Sequence, residues 1–123
     1  MAPIAFALLL SLALEPQPAR TLPELEKLYL HSCAGCHGPD GSALSPEGKR
    51  LKGLDFTSSS EMQGRTDAEL GRVIRKGVFF GLKMPAFRSE LSDLEVEVMV
   101  REIIRKARKG KTIGSGDDYG KAR

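Results

Sequence analysis

Cys33-Ala34-Gly35-Cys36-His37 puts two thiols and an imidazole into one short stretch, in the C-x-x-C-H order of covalent haem attachment. Two cysteines at this spacing can add to the two vinyl groups of one porphyrin, and the adjoining histidine then lies under the iron as proximal ligand. A chain built on such a motif has to wrap a flat, apolar macrocycle. Competing uses explain less. A thioredoxin-like redox pair shares C-x-x-C but belongs to a βαβ setting, which this sequence does not show. A zinc site needs a second ligand pair, and the only other histidine is His31. A disulfide within the motif would leave His37 without a reason, and both cysteines of the chain lie there.

The 123 residues have room for one small domain. A core of that size buries a modest share of its surface, so a bound macrocycle would supply much of the apolar interior. The net charge of +3 and pI near 9.0 give no argument for nucleic acid, because haem propionates would subtract from that charge. At the N-terminus, an apolar run from Ile4 to Leu10 continues through Leu12, Ala13 and Leu14. It suits the core of a signal peptide and is too short to span a bilayer. Cleavage is expected after Ala13, with Ala19 as the poorer alternative, although the segment ahead of the run has no Lys or Arg. Export to the periplasm fits c-type haem attachment, and an uncleaved leader would act as a membrane tether. Residues 1–20 are therefore expected to be signal peptide and linker, the latter extended by Pro16 and Pro18.

Beyond the linker, Thr21-Leu22-Pro23-Glu24 has the form of a capping box, and Leu25, Leu28, Tyr29 and Ser32 fall on one helical face. A short helix thus delivers Cys33 at its end, with Tyr29 as core packing. Gly38-Pro39-Asp40-Gly41 signals a turn, and the stretch to Gly64 reads mostly as loop. A loop of that length in a small domain usually wraps something, and Leu44, Leu51, Leu54 and Phe56 are its candidates for lining a pocket. Thr66-Asp67-Ala68-Glu69 opens a second helix that stops at Gly77. An apolar loop from Val78 to Phe87 then carries Met84 ahead of Pro85. Ser92-Asp93-Leu94-Glu95 opens the longest helix, with Val96, Met99, Val100, Ile103 and Ala107 on one stripe and Arg101, Arg105, Lys106 and Arg108 largely off it. From Lys109 the sequence has no apolar face, so residues 109–123 are expected to form a disordered polar tail, leaving a domain over 21–108.

This order resembles the class I c-type cytochromes over about Thr21 to Lys106. The match rests on Leu28-Tyr29 ahead of Cys33-Ala34-Gly35-Cys36-His37-Gly38, on Gly77 with Met84-Pro85-Ala86-Phe87, and on Leu91-Ser92 before the last helix. The resemblance implies an all-α cytochrome c fold of three main helices and long loops around one covalent haem c. It makes Cys33 and Cys36 the thioether positions, His37 the proximal iron ligand and Met84 the distal one. Met62 is the rival for the distal role, while Met99 falls on the core stripe. One coupled departure stands out: Leu25 occupies a position where the family leads one to expect glycine, and Ile103 one where it leads one to expect an aromatic residue. Bulk moved from the last helix to the first would be a volume-conserving exchange.

The function implied is that of a single-electron carrier between periplasmic or membrane redox proteins, not an enzyme. A haem with histidine and methionine both on iron has no open position for a small substrate. Partners with acidic docking surfaces are expected, because Lys83 adjoins Met84, Arg72, Arg75, Lys76 and Arg88 flank the same loop, and the half of the chain from Arg65 to Lys111 is basic. Neither nucleic acid nor a small-molecule substrate is expected, and membrane contact only through a partner or an uncleaved N-terminus. Two other readings compete: a dedicated electron-accepting subunit of a periplasmic dehydrogenase, and a haem peroxidase or gas sensor with a displaceable distal ligand.

Overall fold

The computed structural model describes residues 18–116, so the expected signal peptide lies almost wholly outside the described residues. Helix α1, Leu22–Ser32, begins at the anticipated box: Thr21 Oγ1 accepts the Glu24 N–H, and Glu24 Oε1 accepts the Thr21 N–H at 3.0 Å. Pro23 sits in the first turn, where a missing N–H leaves no bond unmade. Leu25 and Tyr29, four apart, form the buried face of this helix. Cys33 caps it, donating its N–H to Tyr29 O, and leads at once into the single turn α2, Ala34–His37. The attachment motif is therefore helical and rigidly continuous with α1.

The long loop contains a short helix, α3, Ser59–Met62, capped by Ser58. Helix α4, Asp67–Lys76, starts at Thr66, whose hydroxyl accepts the Glu69 N–H, and stops at Gly77, where φ of 75° suits only glycine. Helix α5, Asp93–Val98, opens on the complete Ser92–Glu95 capping box.

The last helix departs from expectation after Val98. It widens into a π-helix over Met99–Ile104, with Arg105 N–H donating to Val100 O five residues back. The reason is visible in burial: Met99, Val100, Ile103 and Ile104 are all buried, two adjacent pairs that a narrower α stripe would not bring inward together. Ala107, placed on that stripe by the sequence, comes out only half-buried beyond the helix end. Arg105 stays outside and ties the π segment to the start of α4, through Asp67 Oδ1 at 2.8 Å and Arg65 O at 2.6 Å.

One apolar cluster joins α1, α4, α5 and the π segment. Leu25 and Ile103 both lie in it, and α1 contacts the π segment. Leu25 is fully enclosed, and Leu25→Gly should destabilise the protein by roughly 3 kcal/mol or more through the cavity and the added backbone freedom. A melting temperature unchanged in calorimetry would remove Leu25 from that contact.

The tail also departs from expectation. Gly110 N–H donates to Asp40 Oδ2 at 2.7 Å, Ile113 N–H to Pro39 O at 2.9 Å, and the Ile113 side chain is buried in the core cluster. Gly110 and Gly114, at φ 87° and 78°, turn the chain back on itself. Glycines that read as a sign of disorder are the corners of a strap that returns to the turn after His37. Residues 117–123 of the expected tail lie outside the described residues.

The N-terminal approach to α1 is fastened by Glu95. Its buried carboxylate accepts the N–H of Ser92 at Oε1, and at Oε2 both the backbone N–H and the guanidinium of Arg20, each within 3.0 Å. Burial pushes the Glu95 pKa up, but the bonds from Ser92 and Arg20 outweigh it and hold the carboxyl below the ordinary glutamate value of 4.5. A pKa lower in the folded state than in the unfolded chain makes this contribution complete above that ordinary value and lost as pH falls through the folded one. Thermal stability should therefore fall away below about pH 4.5, and Glu95→Gln should lower the neutral-pH melting temperature while flattening that acid limb. An unchanged acid limb in the variant would assign it to other carboxylates.

Candidate haem site

Helix α1 brings Cys33 to the wall of an apolar cleft, while Cys36, in the α2 turn, is exposed and is not part of that wall. Burial, with Cys36 adding to it, pushes the Cys33 thiol up to about 11, so before attachment it is held as the neutral thiol at ordinary pH. The same turn projects His37 into the cleft. Burial holds the imidazole below its ordinary pKa, against the opposing effect of the hydrogen bond to Leu54 O, so the ring is neutral near pH 7. Nδ1 lies 3.0 Å from that carbonyl, which assigns its proton to Nδ1 and leaves the Nε2 lone pair for a metal. Phe56 stacks on the same ring, centroids 4.5 Å apart and planes 18° off parallel.

Backbone geometry around this histidine is tight. Gly53 N–H donates to Cys36 O at 2.8 Å, and a Cβ on Gly53 would stand 2.5 Å from Cys36 O and 2.6 Å from His37 Nδ1. Arg50 braces the loop that carries Gly53 and Leu54, donating from Nη1 to the carbonyls of Leu51 and Gly53 at 3.0 Å and of Ala43 at 3.3 Å. Buried Tyr29 donates its hydroxyl to Gly38 O at 2.8 Å, fixing the turn that leaves the motif.

The cleft encloses a cavity of about 30 Å³. Besides the motif, its walls come from Tyr29, Phe56, Ile74, Phe87, Leu91 and Ile104, with two thioethers, Met84 and Met99. Met84 is half-buried in the loop after α4, held there by antiparallel pairing with Val78, whose N–H donates to Met84 O at 3.0 Å. Gly77, at positive φ, lies so close to Met84 O that no side chain fits between them. Met62, the expected rival, packs against the core from the end of α3 and is not part of the cleft wall. The rival the structure offers is Met99, buried on the π segment.

A neutral imidazole with a free nitrogen, two thioethers, a thiol on the wall with a second in the adjoining turn, and otherwise hydrocarbon walls fit haem in donor type and in polarity. Of the four residues that the resemblance to c-type cytochromes places together, Cys33, His37 and Met84 line this cleft, and Cys36 lies one residue before His37 in the exposed part of the α2 turn. Of the candidate pocket residues in the long loop, Phe56 lines the cleft and Leu54 acts through its carbonyl, while Leu44 and Leu51 pair within the loop. Gly53 and the Leu54 carbonyl escaped the sequence reading because they act through backbone atoms, and Arg50 because its guanidinium binds backbone carbonyls rather than a partner side chain of complementary type.

A helical fold without strands among the described residues, with C-x-x-C-H closing the first helix over an apolar cleft, defines an all-α c-type cytochrome. The chain belongs to the family described as cytochrome c oxidase, cbb3-type, subunit III, whose model matches residues 20–101. Among solved structures it is similar to the KustC0563 c-type cytochrome, with 26% identity, a TM-score of 0.54, and coverage of 68% of this chain and 96% of that one. A single-substitution variant of that protein matches in fold at 24% identity and a TM-score of 0.54, over 68% of this chain and 98% of the other. Among curated proteins no relative matches. As a c-type cytochrome the protein binds haem c, an iron porphyrin held covalently, and its single C-x-x-C-H motif corresponds to one such group.

Proposed function

We propose that this protein is a single-electron carrier rather than an enzyme, with His37 and Met84 as the axial ligands of its haem iron and Cys33 and Cys36 as the thioether positions. The observation that carries the reading is the presence of one neutral imidazole and one half-buried thioether on the walls of a single apolar cleft. The haem supplies the reversible one-electron couple; the chain orients the proximal ring through Leu54 O, excludes water with its hydrocarbon walls and tunes the iron through its choice of ligand. Methionine as sixth ligand occupies the position an enzyme or gas sensor would keep open. The ferric protein should show the weak near-infrared sulfur-to-iron band, and Met84→Leu should abolish it. A band that survives Met84→Leu and disappears in Met99→Leu would move the distal role to the π segment.

The carrier is proposed to work in the periplasm and to meet acidic partners through the basic loop around Met84. Arg72, Lys76, Lys83 and Arg88 are exposed there, and Lys83 Nζ lies 5.4 Å from the centroid of Phe79. Such charge raises the rate of encounter more than final affinity. Electron-transfer rates to an acidic redox protein should fall steeply from low salt to about 0.15 M, where the Debye length is about 8 Å. Lys83→Glu should slow the low-salt rate well beyond Lys109→Glu, and equal effects would disprove a docking face at this loop. A second reading, residence as a subunit of a larger terminal oxidase, draws on the family's description. Stable co-purification with such a complex, in place of transient salt-sensitive encounter, would favour it.

A further inference from the structure

The loop between α4 and Met84 ends in a knob of outward-facing apolar side chains. Phe79, Phe80 and Leu82 are 65%, 104% and 89% exposed. The knob is nevertheless ordered by its own hydrogen bonds: Val78 O accepts the N–H groups of Gly81 and Lys83 at 3.2 and 3.1 Å, Phe79 O accepts that of Leu82 at 2.9 Å, and Val78 pairs with Met84 across the base. Phe79, Phe80 and Gly81 are three consecutive left-handed residues, at φ 52°, 55° and 88°. Bulky side chains are unfavourable in that region and persist where function holds them. Nothing in the core uses these side chains, so packing does not account for them.

Along the sequence, the charge on either side of the knob has one sign. From Leu70 to Ser89 the chain carries Arg72, Arg75, Lys76, Lys83 and Arg88 and not a single carboxylate. Among the described residues Arg75 alone of these forms an ion pair, with Asp93 at 3.9 Å, and Glu69 shares a surface hollow with Arg72, Arg75 and Lys76.

We propose that the Phe79-Phe80-Gly81-Leu82 knob seats itself in the headgroup layer of an anionic lipid surface, with the two phenyl rings and Leu82 entering the apolar boundary and the surrounding Lys and Arg side chains lying against lipid phosphates. Two features select a lipid surface over a protein pocket. The knob is convex and Phe80 is free on all sides, a shape that a fluid layer accepts without a matching cavity. The unbroken run of cations matches a surface of uniform negative charge, on which each added Lys or Arg strengthens attraction independently of register. Attachment of this kind is peripheral, consistent with described helices none of which is long and apolar enough to cross a membrane. It would turn the Met84 edge of the cleft towards the bilayer, so that a lipid surface and an acidic soluble partner compete for this one face. The inference goes beyond the carrier reading and does not depend on it.

The test is co-sedimentation of the haem-loaded, full-length protein with vesicles, followed by the Soret absorbance of pellet and supernatant. Vesicles of phosphatidylglycerol with phosphatidylcholine should bind at least ten-fold more protein than phosphatidylcholine alone. The F79S/F80S/L82S variant should bind the anionic vesicles at least ten-fold more weakly, and K83E/R88E should also lose binding, at unchanged Soret spectrum and melting temperature. All variants share one N-terminus, so the Ile4 to Leu14 run contributes equally to each. Sedimentation with neither vesicle, or equal binding by wild type and F79S/F80S/L82S, overturns the proposal. So does a triple variant that slows electron exchange with a soluble redox protein when the wild type binds no vesicles, since the knob would then be a protein contact.

Discussion

Met84→His is expected to leave the haem low-spin and six-coordinate while lowering its reduction potential on the order of a few tenths of a volt, out of the span of about 0.8 V that axial ligation commands. A soft thioether favours ferrous iron relative to a second imidazole, so exchanging sulfur for nitrogen stabilises the ferric state. The loop should tolerate the change, because Met84 is held mainly by backbone pairing to Val78 rather than by enclosure of its side chain. Met62→Leu and Met99→Leu should move the potential little, the first from outside the cleft and the second by altering packing alone. Spectroelectrochemical titration of the three variants decides the matter. A large fall on changing Met99, with Met84→His silent, would reassign the distal ligand.

The second large effect is expected at Gly53. An alanine Cβ there would stand 2.5 Å from Cys36 O, 2.8 Å from Cys36 C and 2.6 Å from His37 Nδ1. These neighbours are backbone and ring atoms rather than the loose end of a flexible chain, so the loop itself has to move. Overpacking of this kind costs about 1–3 kcal/mol, which for a domain of this size corresponds to a melting temperature lower by roughly 5–20 °C. The displaced loop also carries the Leu54 carbonyl that fixes the His37 ring, so the potential and the low-spin spectrum should shift with stability. Gly35→Ala is the control: it lies in the attachment motif itself, with no atom within 4 Å of its Cβ position and no positive φ. If both alanine variants melt like the wild type, the close approach at Gly53 is relieved without consequence.

Features written in side chains were legible in the sequence. The capping boxes at Thr21 and Ser92 opened helices where the S/T-x-x-E pattern placed them, and Gly77 closed α4. The attachment motif was read from its residues and spacing, and the co-location of His37 with Met84 was what the resemblance to c-type cytochromes implied. Features that depend on long-range company were not. No local signal separates an α stripe from the π segment at Met99–Ile104, because the wider turn is selected by what the two adjacent apolar pairs meet across the core. Ile113, flanked by glycines and charges, read as part of a polar tail, and it is buried only because Pro39 and Asp40 present hydrogen-bonding partners on the far side of the sequence. Glu95 was read as a capping residue, and its second oxygen found Arg20 only once the fold had brought them together.

The strap and the Arg20 fastening also govern how the molecule opens. Gly110 meets Asp40 across 70 residues and Arg20 meets Glu95 across 75, so each bond closes a loop that spans most of the domain. Closing such loops costs entropy that only an assembled core can offset, and the same bonds cannot be re-formed locally once that core is gone. Segments at the edge of a fold usually fray at almost no free energy, but here the amide hydrogens of Arg20, Gly110 and Ile113 are held in bonds to acceptors distant in the sequence. Their exchange with solvent deuterium is thereby coupled to the cooperative opening of the whole domain, and the ends of the folded chain become reporters of its global stability.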